Sequence, residues 1–289
     1  MAPSDPQTNP LAATPAPRGR FGRLRARLGW KLWSAIGLAI VIVAGGSTYL
    51  AGQATMRARL MRADPDAVVQ NAELARYALD YARPAYDEHC ASCHGDHLQG
   101  NRRDGVPDLT HPAWLYGEGR VAQIERTILY GIRAGNSRGW NLADMPAFAK
   151  AEPYKRYKIP SLDPGEIRDV IEFMLVTGGK PGDRPAAERG AKIFSAKGQC
   201  FDCHSADAQG DAAIGAPNLI DDVWLYGTGS REDIYDSIAR GRAGICPAWV
   251  KELSPVTVRA LAVLVYAASH KEPPQTAIGS NGPAAGTGG

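Results

Sequence analysis

Shifted against itself by 110 positions, the chain repeats. This register lays Cys90-Ala-Ser-Cys93-His94 on Cys200-Phe-Asp-Cys203-His204, and Gly105, Pro107 and Leu109 on Gly215, Pro217 and Leu219. It also lays Trp114-Leu-Tyr-Gly117 on Trp224-Leu-Tyr-Gly227. Farther on, Arg133-Ala-Gly135 recurs as Arg242-Ala-Gly244, and Met145-Pro-Ala-Phe148 as Cys246-Pro-Ala-Trp249, with gaps that shorten the second copy. The region is therefore two copies of one small domain. Each copy closes on a readable helix. Asp163-Pro-Gly-Glu166 supplies an N-cap acid, proline at the first helical position and glutamate at the third, ahead of an apolar stripe of Ile167, Val170, Ile171 and Met174. Ser254-Pro255 opens the second closing helix, with Val258, Leu261, Ala262 and Val265 at the same spacing. No clear period-2 segment stands between the motifs, so the fold class is all-α.

Ahead of the repeat, Leu32 to Ala51 runs for 20 residues without a charge. At about 1.5 Å per residue a helix of that length spans a bilayer core of about 30 Å. It exceeds the apolar stretch of a cleaved signal peptide, and Trp30, Trp33 and Tyr49 lie near its ends as interfacial aromatics. Six basic residues precede it (Arg18, Arg20, Arg23, Arg25, Arg27, Lys31) and three follow (Arg57, Arg59, Arg62), which keeps the N-terminus in the cytoplasm and exports the rest. The expected organisation is a cytoplasmic arm over 1–31, a transmembrane helix over 32–51 and a linker over 52–75. Two domains over 76–177 and 189–270 follow, joined by a linker over 178–188, with a disordered tail over 271–289.

The formal net charge of +3 conceals a division. Nine of the 33 basic residues and one of the 30 acidic ones precede Asp64, so the exported part carries a net charge of −5. Such a surface argues against nucleic acid as a partner and would steer a small basic protein toward it.

Five cysteines form two CxxC pairs and leave Cys246 over. In CxxCH the two thiols form thioethers with the vinyl groups of one haem while the following histidine reaches the iron, which is the attachment signature of c-type haem. A zinc site needs four ligands at structural spacing, and a thioredoxin-like dithiol needs a βαβ setting; neither is present. Two haems c are thus expected on Cys90, Cys93, Cys200 and Cys203, with His94 and His204 as proximal ligands. For the first haem, Met145 is the expected distal ligand, since Pro146 withdraws a backbone donor and lets the loop bend toward the iron. His89, His97 and His111 are its competitors, and Met174 reads as a core residue.

Two CxxCH domains behind one transmembrane helix, each with a Gly-x-Pro-x-Leu segment, Trp-Leu-Tyr-Gly and a Met-Pro-Ala-Phe-like loop, resemble the dihaem subunit III of cbb3-type cytochrome c oxidases. The resemblance runs from about Ala63 to Ala268 and includes the approach segment ADPDAVVQNAELARYA. It implies a class I cytochrome c fold in each domain. It further implies a non-catalytic electron-transfer subunit that passes electrons from a soluble donor or a quinol-oxidising complex to the oxidase catalytic subunit in a bacterial inner membrane. A basic cytochrome c is one candidate donor. Two features depart from the family: its N-terminal segment is usually longer and rich in tryptophan, and its second domain carries methionine where this chain has Cys246.

No methionine follows Met174, and the second copy's other histidine, His270, comes after the last helix. Cys246 is therefore the leading candidate for the sixth ligand of the second haem, the alternative being a buried, inert cysteine over a five-coordinate or water-ligated haem. A thiolate favours ferric iron and lowers the potential where methionine raises it. Dihaem thiosulfate dehydrogenases resemble this pattern in having a His/Cys haem, which makes oxidation of a sulfur compound the alternative function, with an anchored carrier for another redox complex as a third. Trp114 and Trp224 are expected to pack on the haems. Arg133 and Arg242 either pair with haem propionates or stand solvated, and Tyr116 and Tyr226 are open to both readings.

Overall fold

The computed structural model describes residues 20–270; the outer part of the basic arm and the expected tail lie outside them. All regular structure among the described residues is helical, with a few isolated bridges between loops. The helices are α1 (Arg20–Arg62), α2 (Ala72–His89), α3 (Ala91–His94), α4 (Val121–Tyr130), α5 (Pro164–Thr177), α6 (Arg184–Lys192), α7 (Phe201–His204), α8 (Arg231–Arg240) and α9 (Pro255–His270).

The chain divides into two compact units between Thr55 and Met56. In the first, α1 carries the apolar span, and its leucine, isoleucine and valine side chains are exposed, as a helix facing lipid requires. The helix extends into the expected linker over 52–75. No glycine or proline interrupts the chain from Gln53 to Ala63, so α1 continues to Arg62. It stops where Asp64 precedes Pro65, and the Asp64 carboxylate accepts hydrogen bonds from the backbone of Asp66 (2.9 Å) and Ala67 (3.3 Å).

The second unit contains both repeats, and its packing exchanges their parts. α5 closes the first repeat in sequence but packs on α6 and α8 of the second; α9 closes the second but packs on α2 and α4 of the first. One core joins Leu74, Ala78 and Tyr86 of α2 with Val121 and Ile124 of α4, Leu261 and Val265 of α9, and Leu60. The other joins Ile167, Val170, Ile171 and Met174 of α5 with Phe194, Ile234 and Ile238. Each core therefore draws helices from both of the expected domains over 76–177 and 189–270.

The reason is the connection between α5 and α6. Thr177 and Arg184 are separated by only Gly178 to Asp183, a connection short enough to make the two helices antiparallel neighbours. Each of the two helices is capped at its N-terminus. Asp163 caps α5 through Gly165 N (2.7 Å) and Glu166 N (2.9 Å), while the Glu166 carboxylate returns to Asp163 N (2.9 Å), as the sequence predicts. Asp183 caps α6 through Ala186 N (3.1 Å) and its own N–H donates to Glu172 of α5 (2.8 Å).

In the other lobe, Arg259 of α9 is buried and forms an ion pair with Glu125 of α4. Its Nη1 also donates to the carbonyls of Leu60 (3.1 Å) and Ala63 (3.0 Å), which the end of α1 leaves without helical partners.

Candidate haem sites

Each CxxCH motif is built the same way. A long helix, α2, or α6 with the π turn over Ile193–Lys197, delivers the first cysteine, and a single helical turn carries the second cysteine and the histidine. The histidine then turns back under the Gly-x-Pro segment. His94 Nδ1 lies 3.3 Å from the Pro107 carbonyl, and His204 Nδ1 lies 3.0 Å from the Pro217 carbonyl. A carbonyl only accepts, so Nδ1 carries the proton and Nε2 keeps its lone pair, the arrangement an iron-bound imidazole needs. Burial lowers both histidine pKa values, which keeps the rings neutral.

The distal side shows the exchange again. Cys246 N donates to Ile132 O (3.1 Å) and Ile132 N to Cys246 O (2.9 Å), which fixes the Cys246 loop beside the end of α4 in the first repeat. Trp249 N donates to Ile128 O (3.0 Å), and the Trp249 ring packs on His89 at 5.1 Å between centroids. The Cys246 thiol consequently stands with the first motif. Burial, then the neighbouring Cys246 and Cys93, pushes the Cys90 thiol up to about 11, and burial followed by Cys93 pushes Cys246 to about 11.

The mirror relation holds for Met145. Its N–H donates to Arg242 O (2.9 Å) and its carbonyl accepts from Arg242 N (3.2 Å), while Phe148 N reaches Ile238 O (3.1 Å) at the end of α8. Met145 packs against the core that contains Phe194 and Ala208, as do Cys200, Leu219 and Trp224. Asp144, beside it, is among the charges that raise the Cys203 thiol after burial itself.

The sequence reading pairs Met145 with the first haem and Cys246 with the second; in the structure the Cys246 thiol lies near Cys90 and Cys93 of the first motif, and Met145 packs on the same core as Cys200 of the second. The offset alignment reveals which segments repeat. Because the two copies carry equivalent mating surfaces, it is silent on which copy of each segment meets which.

The competing histidines have other contacts. His111 Nδ1 accepts from Ala113 N (3.1 Å), and His270 stacks on Tyr266 at 3.8 Å at the end of α9, in the lobe of the first motif. Arg242 bonds Ser237 Oγ and lies 4.0 Å over the Tyr226 ring. Arg133 donates to two carbonyls and to Tyr116. Tyr116 and Tyr226 are interface residues, each set against a glycine of the opposite repeat, Gly215 and Gly105 respectively. Gly117 N and Gly227 N complete the exchange by donating to Ala212 O and Arg102 O, both at 3.0 Å.

These residues fit haem c. Each motif offers two cysteines, an imidazole with its distal nitrogen free, and a sulfur-bearing loop from the other repeat. Trp114 Nε1 adds an independent observation: it is the buried side-chain donor without a protein partner among the described residues, and a haem carboxylate is an acceptor of the kind it lacks. The bound iron supplies reversible one-electron chemistry, tuned by its axial ligands. The fold and both sites together define a membrane-anchored c-type cytochrome.

Comparison with known proteins agrees. Residues 81–177 match the cytochrome c family, and residues 185–265 match the family described as cytochrome C oxidase, cbb3-type, subunit III. The cbb3-type oxidase subunit FixP of Azorhizobium caulinodans is 36% identical over 215 residues, which cover 74% of this chain and 68% of the relative. Subunit CcoP of Azospirillum brasilense is 36% identical over 205 residues, 69% of this chain and 65% of the relative. Subunit CcoP of Cereibacter sphaeroides is 32% identical over 213 residues, 74% of this chain and 69% of the relative. The chain thus spans about two thirds of the length of these relatives. It belongs to the cbb3-type cytochrome c oxidase subunit III family, as a membrane-anchored electron-transfer subunit with two covalently bound haems c.

Proposed function

We propose that the protein relays electrons through two haems of unlike ligation. The first is attached at Cys90 and Cys93 with His94 and Cys246 as axial ligands; the second is attached at Cys200 and Cys203 with His204 and Met145. Electrons enter from a donor cytochrome or a quinol-oxidising complex and leave to the catalytic subunit of a cbb3-type oxidase. The N-terminal arm is cytoplasmic and both lobes are periplasmic, in keeping with the arginines before the apolar span.

The observation that supports this reading is the exchange of distal loops, which brings a sulfur-bearing loop of one repeat beside the attachment motif of the other. Free of metal, the Cys246 thiol is held protonated by burial; a coordinating metal ion deprotonates a thiol, and the anionic ligand then favours ferric iron. The internal N–H of Trp114 binds a haem carboxylate.

Purification in mild detergent tests the assignment. Co-elution with a haem–copper subunit supports it, and a protein that elutes alone counts against it. Thiosulfate separates the enzyme alternative: a relay leaves its haems oxidised when thiosulfate is added, whereas a sulfur-oxidising haem becomes reduced.

A further inference from the structure

Arg133 takes a left-handed conformation, φ 49°, that side chains other than glycine and asparagine seldom adopt. Strain of that kind persists where surrounding bonds over-determine it. Here the main chain is fixed on one side by Arg133 N donating to Trp140 O (2.9 Å) and on the other by Ile132, which exchanges hydrogen bonds with Cys246. The side chain then spans three segments of the chain. Its Nε donates to Gly244 O (2.7 Å), and its Nη1 donates to Ala143 O (2.9 Å) and to Tyr116 Oη (2.9 Å).

The two carbonyls occupy matching positions. Ala143 lies two residues before Met145, and Gly244 lies two residues before Cys246. One guanidinium therefore holds both distal loops at the same remove from their sulfur atoms. The third partner extends the connection, because Tyr116 rests on Gly215 in the segment that carries Pro217, the residue whose carbonyl orients His204. The residue aligned with Arg133 in the second repeat, Arg242, bonds Ser237 of the preceding helix, α8, and stacks on Tyr226. The bridge is thus single.

We propose that Arg133 is a positioning residue shared by both haem sites, setting Met145 and Cys246 together so that the ligation of one haem depends on that of the other. The proposal rests on the reading of these two residues as axial ligands. Its chemistry requires arginine: the planar guanidinium directs donors to several acceptors at once, whereas a lysine ammonium is a point charge on a flexible stem.

The test uses the full-length, haem-loaded protein. Arg133→Gln, Arg133→Lys, Arg242→Gln and Tyr116→Phe are compared by the methionine-to-iron charge-transfer band, the electron paramagnetic resonance of the thiolate-ligated ferric haem, and the midpoint potentials of both haems. Arg133→Gln is expected to weaken the methionine band and alter the thiolate signal together, with both potentials shifting. Arg133→Lys does not restore them, and Arg242→Gln leaves the thiolate signal unchanged. Where Arg133→Gln fails to accumulate, Tyr116→Phe, which deletes one acceptor, still produces smaller changes at both haems. Met145→Ala and Cys246→Ala check the underlying reading. If either leaves its haem's signal unchanged, the ligand assignment fails and this proposal with it. If both act while Arg133→Gln and Tyr116→Phe alter one haem alone or neither, the ligand assignment stands and the shared role of Arg133 is overturned.

Discussion

Ile132 and Cys246 exchange both of their main-chain hydrogen bonds, at 2.9 and 3.1 Å, although they belong to different repeats. This short ladder and its counterpart between Met145 and Arg242 are where the two copies become one unit. Each haem site thus takes its attachment motif from one copy and its distal loop and closing helix from the other. Damage to either closing helix consequently reaches the haem of the opposite motif.

Replacing Cys246 with methionine raises the midpoint potential of the haem on Cys90 and Cys93. A neutral thioether favours ferrous iron relative to an anionic thiolate. A redox titration of Cys246→Met should show the lower of two potentials moving up toward the higher, with a second methionine-to-iron band appearing. Two unchanged potentials would remove Cys246 from the iron.

The exchange is also held by close packing. Gly215 has φ +75° and lies against the Tyr116 ring, so a methyl group there meets both backbone strain and the ring. Gly215→Ala should cost about 1–3 kcal/mol, the usual range for overpacking. In a double-mutant cycle, part of that loss is recovered in the Tyr116→Ala background, since the two residues touch across repeats. Strict additivity in chemical denaturation would mean they do not touch.

Arg259→Met leaves Glu125 buried without its cation, which typically destabilises by about 3–5 kcal/mol. Adding Glu125→Gln to that variant recovers much of the loss, because the uncompensated carboxylate is gone. Denaturation followed at the Soret band gives both values, and equal stabilities for the single and double variants would contradict the prediction.

Glu172 should contribute to acid sensitivity. Its hydrogen bonds from Arg231 hold the carboxyl below its ordinary value of 4.5, against the opposing effect of desolvation. A carboxyl with a depressed folded-state pKa contributes stability that is present above 4.5 and is lost as pH falls through the lowered value. Melting temperatures measured across that window should fall less steeply for Glu172→Gln than for the parent, while the variant melts lower at neutral pH. Parallel curves would assign the acid transition elsewhere.

Much of this was legible in the residues. The caps at Asp163 and Ser254 and the apolar stripes of α5 and α9 are local patterns, and each forms a helix where its periodicity places it. Both CxxCH motifs follow from short-range chemistry, whereas the roles of the Pro107 and Pro217 carbonyls appear only in the structure. The exchange of parts does not, because a duplicated domain offers two equivalent partners for every surface and composition cannot choose between them. The signal that does choose was the short run from Gly178 to Asp183, which holds α5 beside α6 and leaves α9 for α2. Arg133 was visible as one arginine beside a distal loop, but its three acceptors lie far apart in sequence, at Tyr116, Ala143 and Gly244.

The crossed pairing is tested most directly by marking one haem. In Cys203→Ala the second haem keeps a single thioether, and its remaining vinyl group stays conjugated with the macrocycle, which moves its α-band to longer wavelength. Met145→Ala and Cys246→Ala are then each combined with Cys203→Ala, and the reduced and oxidised spectra are recorded. Crossed ligation predicts that Met145→Ala changes the displaced band and Cys246→Ala the unmarked one. The reverse assignment, Met145→Ala acting on the unmarked haem, would contradict it.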